Sequence, residues 1–95
     1  MVASLSATYR IAAKARLVYD RARDRHMLLY PERGLELNPV AHAILSLCDG
    51  ETPVGKVVAT LAGRFDQVEP SDLERDVLSF LTQLERRGLV QAIER

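Results

Sequence analysis

The residues of this chain that could do chemistry are two histidines, one cysteine and a group of carboxylates on a C-terminal segment. A metal site needs His, Cys or carboxylate ligands at short, regular spacing. His26 and His42 fall in different predicted elements, and neither has a Cys or carboxylate at such spacing. His26 is read as a half-exposed strand residue and His42 as an exposed helix residue, so no metal is assigned. Cys48 is the single cysteine and cannot form an internal disulfide. It falls on the core-facing side of a predicted helix, where a thiol behaves as a small hydrophobe. A reactive thiolate would need a cationic neighbour, and the local sequence supplies none. Asp72 and Asp76, four apart, share a helix face, as do Glu69 and Asp72, three apart. Such pairs do acid–base work in a closed pocket, but on a small exposed helix they are solvated surface. Gly34, Gly50, Gly55, Gly63 and Gly88 are scattered and form no phosphate loop. No catalytic residue and no cofactor is assigned, and the chain is not read as an enzyme.

The elements that carry these residues fall into two periodicities. Ala15–Tyr19 and His26–Tyr30 are short runs of strand type, joined by a charged linker, residues 20–25. The linker has no Asn-Gly or Asp-Gly pair, so a tight two-residue turn is not expected there. Pro31 ends the second run, Gly34 permits a sharp turn, and Leu35-Glu36-Leu37 is a third short strand. From Asn38 the period becomes helical. Asn38-Pro39 starts a helix with Val40, Ala41, Ile44, Leu45 and Cys48 on its buried face, and Gly50 stops it. Thr52-Pro53 caps a second helix with Val54, Val57, Val58, Leu61, Ala62 and Phe65 as its stripe. The third begins near Pro70-Ser71, where Ser71 and Glu74 have capping-box spacing. Leu73, Val77, Phe80, Leu81 and Leu84 form its core stripe, Gly88 ends it, and residues 89–93 are a final strand or packed tail. The expected fold is α+β: a three-stranded antiparallel sheet followed by three helices, resembling a winged helix-turn-helix. Residues 1–13 are expected to be a flexible leader and residues 14–95 the folded domain.

Composition limits the partners. The 95 residues suit one domain, and 47% apolar with 27% charged residues reads as globular. Net charge is +0, from 13 basic and 13 acidic residues, so no whole-domain field attracts nucleic acid or anionic lipid. The N-terminus lacks the pattern of a secretory signal, and no apolar run reaches the ~20 residues that span a bilayer. The expected compartment is the cytoplasm. A winged helix invites a DNA-binding reading, but the third helix opens with Asp72, Glu74 and Asp76, where a DNA reader needs cations. The basic residues Arg16, Arg21, Arg23 and Arg25 sit on the first hairpin instead. A DNA-binding regulator therefore stands second.

The segment from Leu28 to Asn38, Leu-Leu-Tyr-Pro-Glu-Arg-Gly-Leu-Glu-Leu-Asn, resembles the PqqD family of pyrroloquinoline quinone (PQQ) biosynthesis. The run Ala43–Gly50, the Val54–Phe65 helix, Asp76-Val77-Leu78 and Arg87-Gly88-Leu89-Val90 also fit that family's pattern. The likeness covers roughly residues 14 to 91. It implies a non-catalytic peptide chaperone that binds the ribosomal precursor peptide PqqA and presents it to the radical SAM enzyme PqqE. That enzyme crosslinks a Glu and a Tyr of the peptide, and its iron–sulfur clusters and S-adenosylmethionine are its own. The recognition element of another ribosomal-peptide pathway is the neighbouring alternative.

A binding mode can be argued from the residues. An edge strand leaves unpaired backbone N–H and C=O groups, and an extended peptide can add itself there. The expected site is Gly34, Leu35, Glu36 and Leu37 as the edge, walled by Asp76, Val77, Leu78, Phe80 and Leu81 of the third helix. Leu78 lies off the line of the core stripe and is a candidate wall. The opposite flank, Asp76 and Gln83, is the other candidate, and the sequence does not choose between them. Short edge strands also permit a homodimer by strand exchange.

Overall fold

Both periodicities are realised in three dimensions, and pairing adds two strands that neither announced. The computed structural model describes residues 3–31 and 33–93. Its elements are β1 (Thr8–Ile11), β2 (Arg16–Asp20), β3 (Arg25–Tyr30), β4 (Arg33–Leu37), α1 (Pro39–Ser46), β5 (Asp49–Pro53), α2 (Val54–Arg64), α3 (Pro70–Arg86) and β6 (Val90–Ile93). They form two three-stranded antiparallel sheets, ordered β2-β3-β4 and β5-β1-β6, with the three helices. The winged-helix description holds only loosely, because the second sheet lies outside that plan.

The first sheet is a meander. Leu17, Leu28 and Leu35 stand in register across it, as do Tyr19, His26 and Leu37. Strand side chains alternate between faces, so these rows share the inner face. Leu28 is 0% exposed and Leu37 is buried. Arg16, Val18, Met27, Leu29, Gly34 and Glu36 share the outer face. The helices complete one apolar core: Ile44 and Leu45 from α1, Val54, Val57 and Leu61 from α2, Leu73, Val77, Leu81 and Leu84 from α3. Two contacts tie the sheet to the helices. His26 stacks on His42 of α1, ring centroids 3.7 Å apart, and the Arg87 guanidinium lies 5.6 Å from the Tyr30 ring centre.

Several local expectations hold. Asn38 caps α1, its side-chain oxygen accepting from the Ala41 N–H at 2.8 Å. Gly88 ends α3 with φ +71°: its N–H reaches the Glu85 carbonyl and that of Leu89 the Leu84 carbonyl, folding buried Leu89 back on the helix.

Others are corrected. Residues 3–13 are not a loose leader: β1 is the central strand of the second sheet, Tyr9 is 2% exposed, and Ala3 and Ala12 are buried. Residues 1 and 2 lie outside the described residues. α1 ends at Ser46, before Gly50, because the chain turns into β5, where Gly50 takes φ +83°. α2 and α3 lack the side-chain caps that Thr52 and the Ser71–Glu74 pair suggest. Thr52 bonds Asp49 instead, and Ser71 already lies inside the helix, behind Pro70. Gly34 makes no turn; the chain reverses between Tyr30 and Arg33. A Cβ on Gly34 would come within 2.9 Å of the Leu29 and Met27 side-chain ends, which lean over it.

Candidate functional site

The hairpin that joins β3 and β4 decides which backbone groups β4 leaves free. Tyr30 and Arg33 pair across a two-residue loop, the closing hydrogen-bonded pair of such a hairpin. The alternation then makes Leu28–Leu35 and His26–Leu37 hydrogen-bonded pairs as well. Arg33, Leu35 and Leu37 spend their N–H and C=O on β3, while Gly34 and Glu36 turn theirs outward. β4 is an edge of the order β2-β3-β4, and among the described residues no backbone hydrogen bond reaches it from outside the ladder. The Glu36 side chain is held on the outer face by an ion pair with Arg25.

β4 runs into α1 at Asn38, and there a groove of about 380 Å³ opens between α1 and α3. Ile44 and Leu73, both buried, form its floor. Val40, Ala41, Val68 and Phe80, half-buried, form its walls. Asn38, Asp76, Ser79 and Gln83 stand at the rim. An apolar concavity with a few polar groups at its mouth is the usual form of a ligand site. At the other edge of this sheet a hollow of about 360 Å³ lies beside the start of β2, lined by Ala15, Arg16, Leu29 and Tyr30.

The expected site residues separate into four groups. Gly34, Leu35, Glu36 and Leu37 lie together on the edge strand, with Leu35 half-buried and Leu37 buried. Asp76 and Phe80 line the groove, joined by Gln83. Val77 and Leu81 are each 0% exposed, so they pack the core behind the groove and present no surface to a guest. Leu78 faces the other flank of α3, where it lines a separate hollow with Ala3, Thr82 and Arg86. The α1–α3 groove lies on the Asp76–Phe80–Gln83 stripe, and a hollow of about 350 Å³ lies on the Leu78 flank. Val40, Ala41 and Val68 were missed as wall residues. The spacing of Val40 and Ala41 marks them as core, and Val68 lies in the connection between α2 and α3, outside any stripe; all three are half-buried in the structure.

Among the described residues no three His, Cys, Asp or Glu side chains cluster as metal ligands. Burial pushes the Cys48 thiol up to about 12, far from a reactive thiolate. Burial and the neighbouring Glu85, which accepts from the Tyr9 hydroxyl at 3.2 Å, push Tyr9 up to about 12. His26 and His42, distant in sequence, meet face to face, and burial with the adjacent His26 holds His42 below its ordinary value. The arrangement is built for contact, through an open strand edge and an apolar groove.

Known proteins resemble the chain along most of its length. Residues 25–90 match the family described as Coenzyme PQQ synthesis protein D (PqqD). A protein of Xanthomonas campestris pv. campestris named PqqA binding protein is 37% identical over 81 residues, 85% of this chain and 87% of the relative. The Bifunctional coenzyme PQQ synthesis protein C/D of Methylorubrum extorquens is 33% identical over 86% of this chain, which corresponds to 22% of that longer protein. The solution structure of the PqqD truncation of Methylobacterium extorquens PqqCD, described as a stand-alone recognition element for ribosomally synthesized and post-translationally modified peptides, superposes with a TM-score of 0.78. It shares 32% identity and covers 94% of both chains. The crystal structure of PqqD from Xanthomonas campestris gives a TM-score of 0.57 at 38% identity, over 83% of this chain and 87% of that one. With the family match spanning both the open strand and the groove, the chain belongs to the PqqD family.

Proposed function

We propose that this chain is a peptide chaperone of PQQ biosynthesis that binds the precursor peptide PqqA as an added strand on β4 and presents it to the radical SAM enzyme PqqE. The observation that carries this reading is the continuity of the open β4 edge with the α1–α3 groove. Gly34 and Glu36 offer backbone donors and acceptors to a guest backbone, and alternate guest side chains then fall toward the groove. Filling it with one large apolar side chain contributes about 1.5–3 kcal/mol. The names of the Xanthomonas relative and the Methylobacterium recognition element support precursor-peptide binding. The cytoplasm, where a ribosomal peptide is made, is the compartment that goes with this role. The redox chemistry belongs to the enzyme, and this chain contributes position alone.

The test is Glu36→Pro, which removes one outward N–H from β4. PqqA affinity is expected to fall at least tenfold with the fold retained. Glu36→Gln, which loses only the Arg25 ion pair, is expected to bind as the parent does. Val18→Pro on the β2 edge is expected to leave affinity unchanged in the folded fraction. Unchanged binding by a folded Glu36→Pro protein would falsify strand addition on β4. A crosslinking assay with PqqE, slowed by the same substitution, tests presentation. Binding of a different precursor peptide in preference to PqqA would place the chain in another pathway.

A further inference from the structure

β4 starts beside cations, and the groove that opens past its end at Asn38 holds an anion of α3. At its start, Arg33 is exposed and pairs across the hairpin with Tyr30. The Tyr30 hydroxyl accepts from Arg87 Nη2 at 2.5 Å, and Lys14 Nζ donates to the Arg87 carbonyl at 3.5 Å. Three cations therefore gather at this corner, and among the described residues none of them is in an ion pair. At the far end, Asp76 is the one charged side chain among the described residues lining the groove. Its nearest cation is Arg75, 4.0 Å away, and Arg75 makes its shorter contact, 3.0 Å, with Asp72.

We infer that β4 selects a charge-polarised guest: a carboxylate side chain beside Arg33 and Arg87, an apolar side chain in the groove, and a cation beside Asp76. This deepens the strand-addition reading and rests on it. Asp76 on α3 and Arg87 at its C-cap are separated by three helical turns, which puts the two charged ends roughly 16 Å apart. That exceeds the Debye length of about 8 Å at physiological salt, so each end acts on its own neighbour. The chain's net charge of +0 means the asymmetry is local. Its consequence is directional. Backbone hydrogen bonds alone let a strand add in either sense, whereas opposite charges at the two ends hold the guest one way round. The enzyme would then receive the same end of the peptide each time.

Three synthetic nine-residue peptides, blocked at both ends and sharing a Leu-centred alternating core, test the inference. One has a Glu pair at its N-terminus and a Lys pair at its C-terminus, the second has these exchanged, and the third has Gln at all four positions. A nitroxide beside the acidic end, or the equivalent Gln end, reports position by broadening protein amide signals. Each exposed charge contact is worth no more than about fivefold, so the polarised peptides should bind about three- to tenfold tighter than the neutral one. In both polarised peptides the label should broaden Gly34 and Leu35, and spare Val40 and Ala41. The triple variant Arg33→Glu, Arg87→Glu and Asp76→Lys should move the broadening to Val40 and Ala41. Equal affinity of all three peptides, or a label position that follows chain direction and not charge, overturns the polarity and leaves strand addition standing. No binding of any peptide by the folded protein overturns both.

Discussion

The two sheets of this domain treat their edges in opposite ways. In β5, the Asp49 carboxylate accepts from the N–H groups of Glu51 and Thr52 at 2.9 and 2.8 Å, and from the Thr52 hydroxyl at 3.0 Å. Pro53 has no N–H to offer, and the β1–β5 register shifts within the pairing. These are devices that blunt an edge against unwanted pairing. β4 has none of them: no proline, no bulge and no side chain folded back on its outward N–H groups. One molecule thus contains both a guarded and an unguarded edge, and the unguarded one runs into an apolar groove. An open strand edge is a template to which another chain can pair, and β4 leaves that template exposed.

The largest effect should come from the guarded sheet. Tyr9 is central in it and 2% exposed, with its hydroxyl bonded to Glu85. Tyr9→Ala is expected to cost about 3–5 kcal/mol, seen as a large fall in the urea midpoint with unchanged peptide affinity in whatever remains folded. Phe80→Ala should do the reverse. Phe80 is a half-buried wall of the groove, so its truncation should weaken PqqA binding by about 10- to 100-fold while moving the urea midpoint much less. If the two substitutions affected stability and binding in parallel, the division of labour between the sheets would be wrong.

A smaller effect tests the guard itself. Backbone N–H groups hold the Asp49 carboxylate below its ordinary range, chiefly through Glu51 and Thr52. A depressed carboxyl stabilises the fold above its ordinary pKa and loses that contribution as pH falls toward its folded value. Asp49→Ala should lower stability slightly at neutral pH and flatten its acid dependence. It should also raise self-association in sedimentation, since two strand donors are released. Unaltered sedimentation would show that the Asp49 bonds shape the turn and guard nothing.

What the sequence made legible follows from which interactions are local. β2, β3 and β4 alternate visibly, and α1 to α3 carry their stripes within one helix each. The pattern therefore gives these elements to within a few residues, and with them the edge at Leu35–Leu37. β1 alternates as Thr8-Tyr9-Arg10-Ile11, but it was missed because four residues behind Ser4, Ser6 and Ala7 make too short a run to stand out. Its burial comes from partners such as Ile93 and Pro53, far along the chain. β5 was unreadable for a different reason: Asp-Gly-Glu-Thr-Pro is turn composition, and only pairing with β1 makes it a strand. The same limit applied at the site. A helical wheel places Leu78 off the core stripe but cannot say that Ala3 borders a hollow on that flank. Nor can it say that α1 leaves the Asp76–Phe80–Gln83 flank open. Angles between elements are non-local facts, and the groove is made of them.

The smallest expected effect is a pH dependence at the joint between the open sheet and α1. His26 and His42 stack with rings 19° from parallel, and the Tyr19 ring lies 5.0 Å from His26. Asp24, Arg25 and Arg64 line the same cleft. Burial, then the adjacent His26, lowers the His42 pKa from its ordinary 6.5. Below pH 6.5 the unfolded chain therefore binds more protons at this position than the folded one. Stability is then full above about pH 6.5 and declines as pH falls toward the folded value. Urea midpoints from pH 8 to 5 should show that decline, and His42→Phe, which keeps an aromatic ring in the stack, should flatten it. Amide exchange sharpens the comparison of the two sheets. At pH 5.5 protection should weaken first in β3 and β4, which hang on this stack, while β1 and β6 keep theirs. Equal weakening in both sheets would show that the histidines stabilise the core as a whole and that the open sheet has no separate hinge.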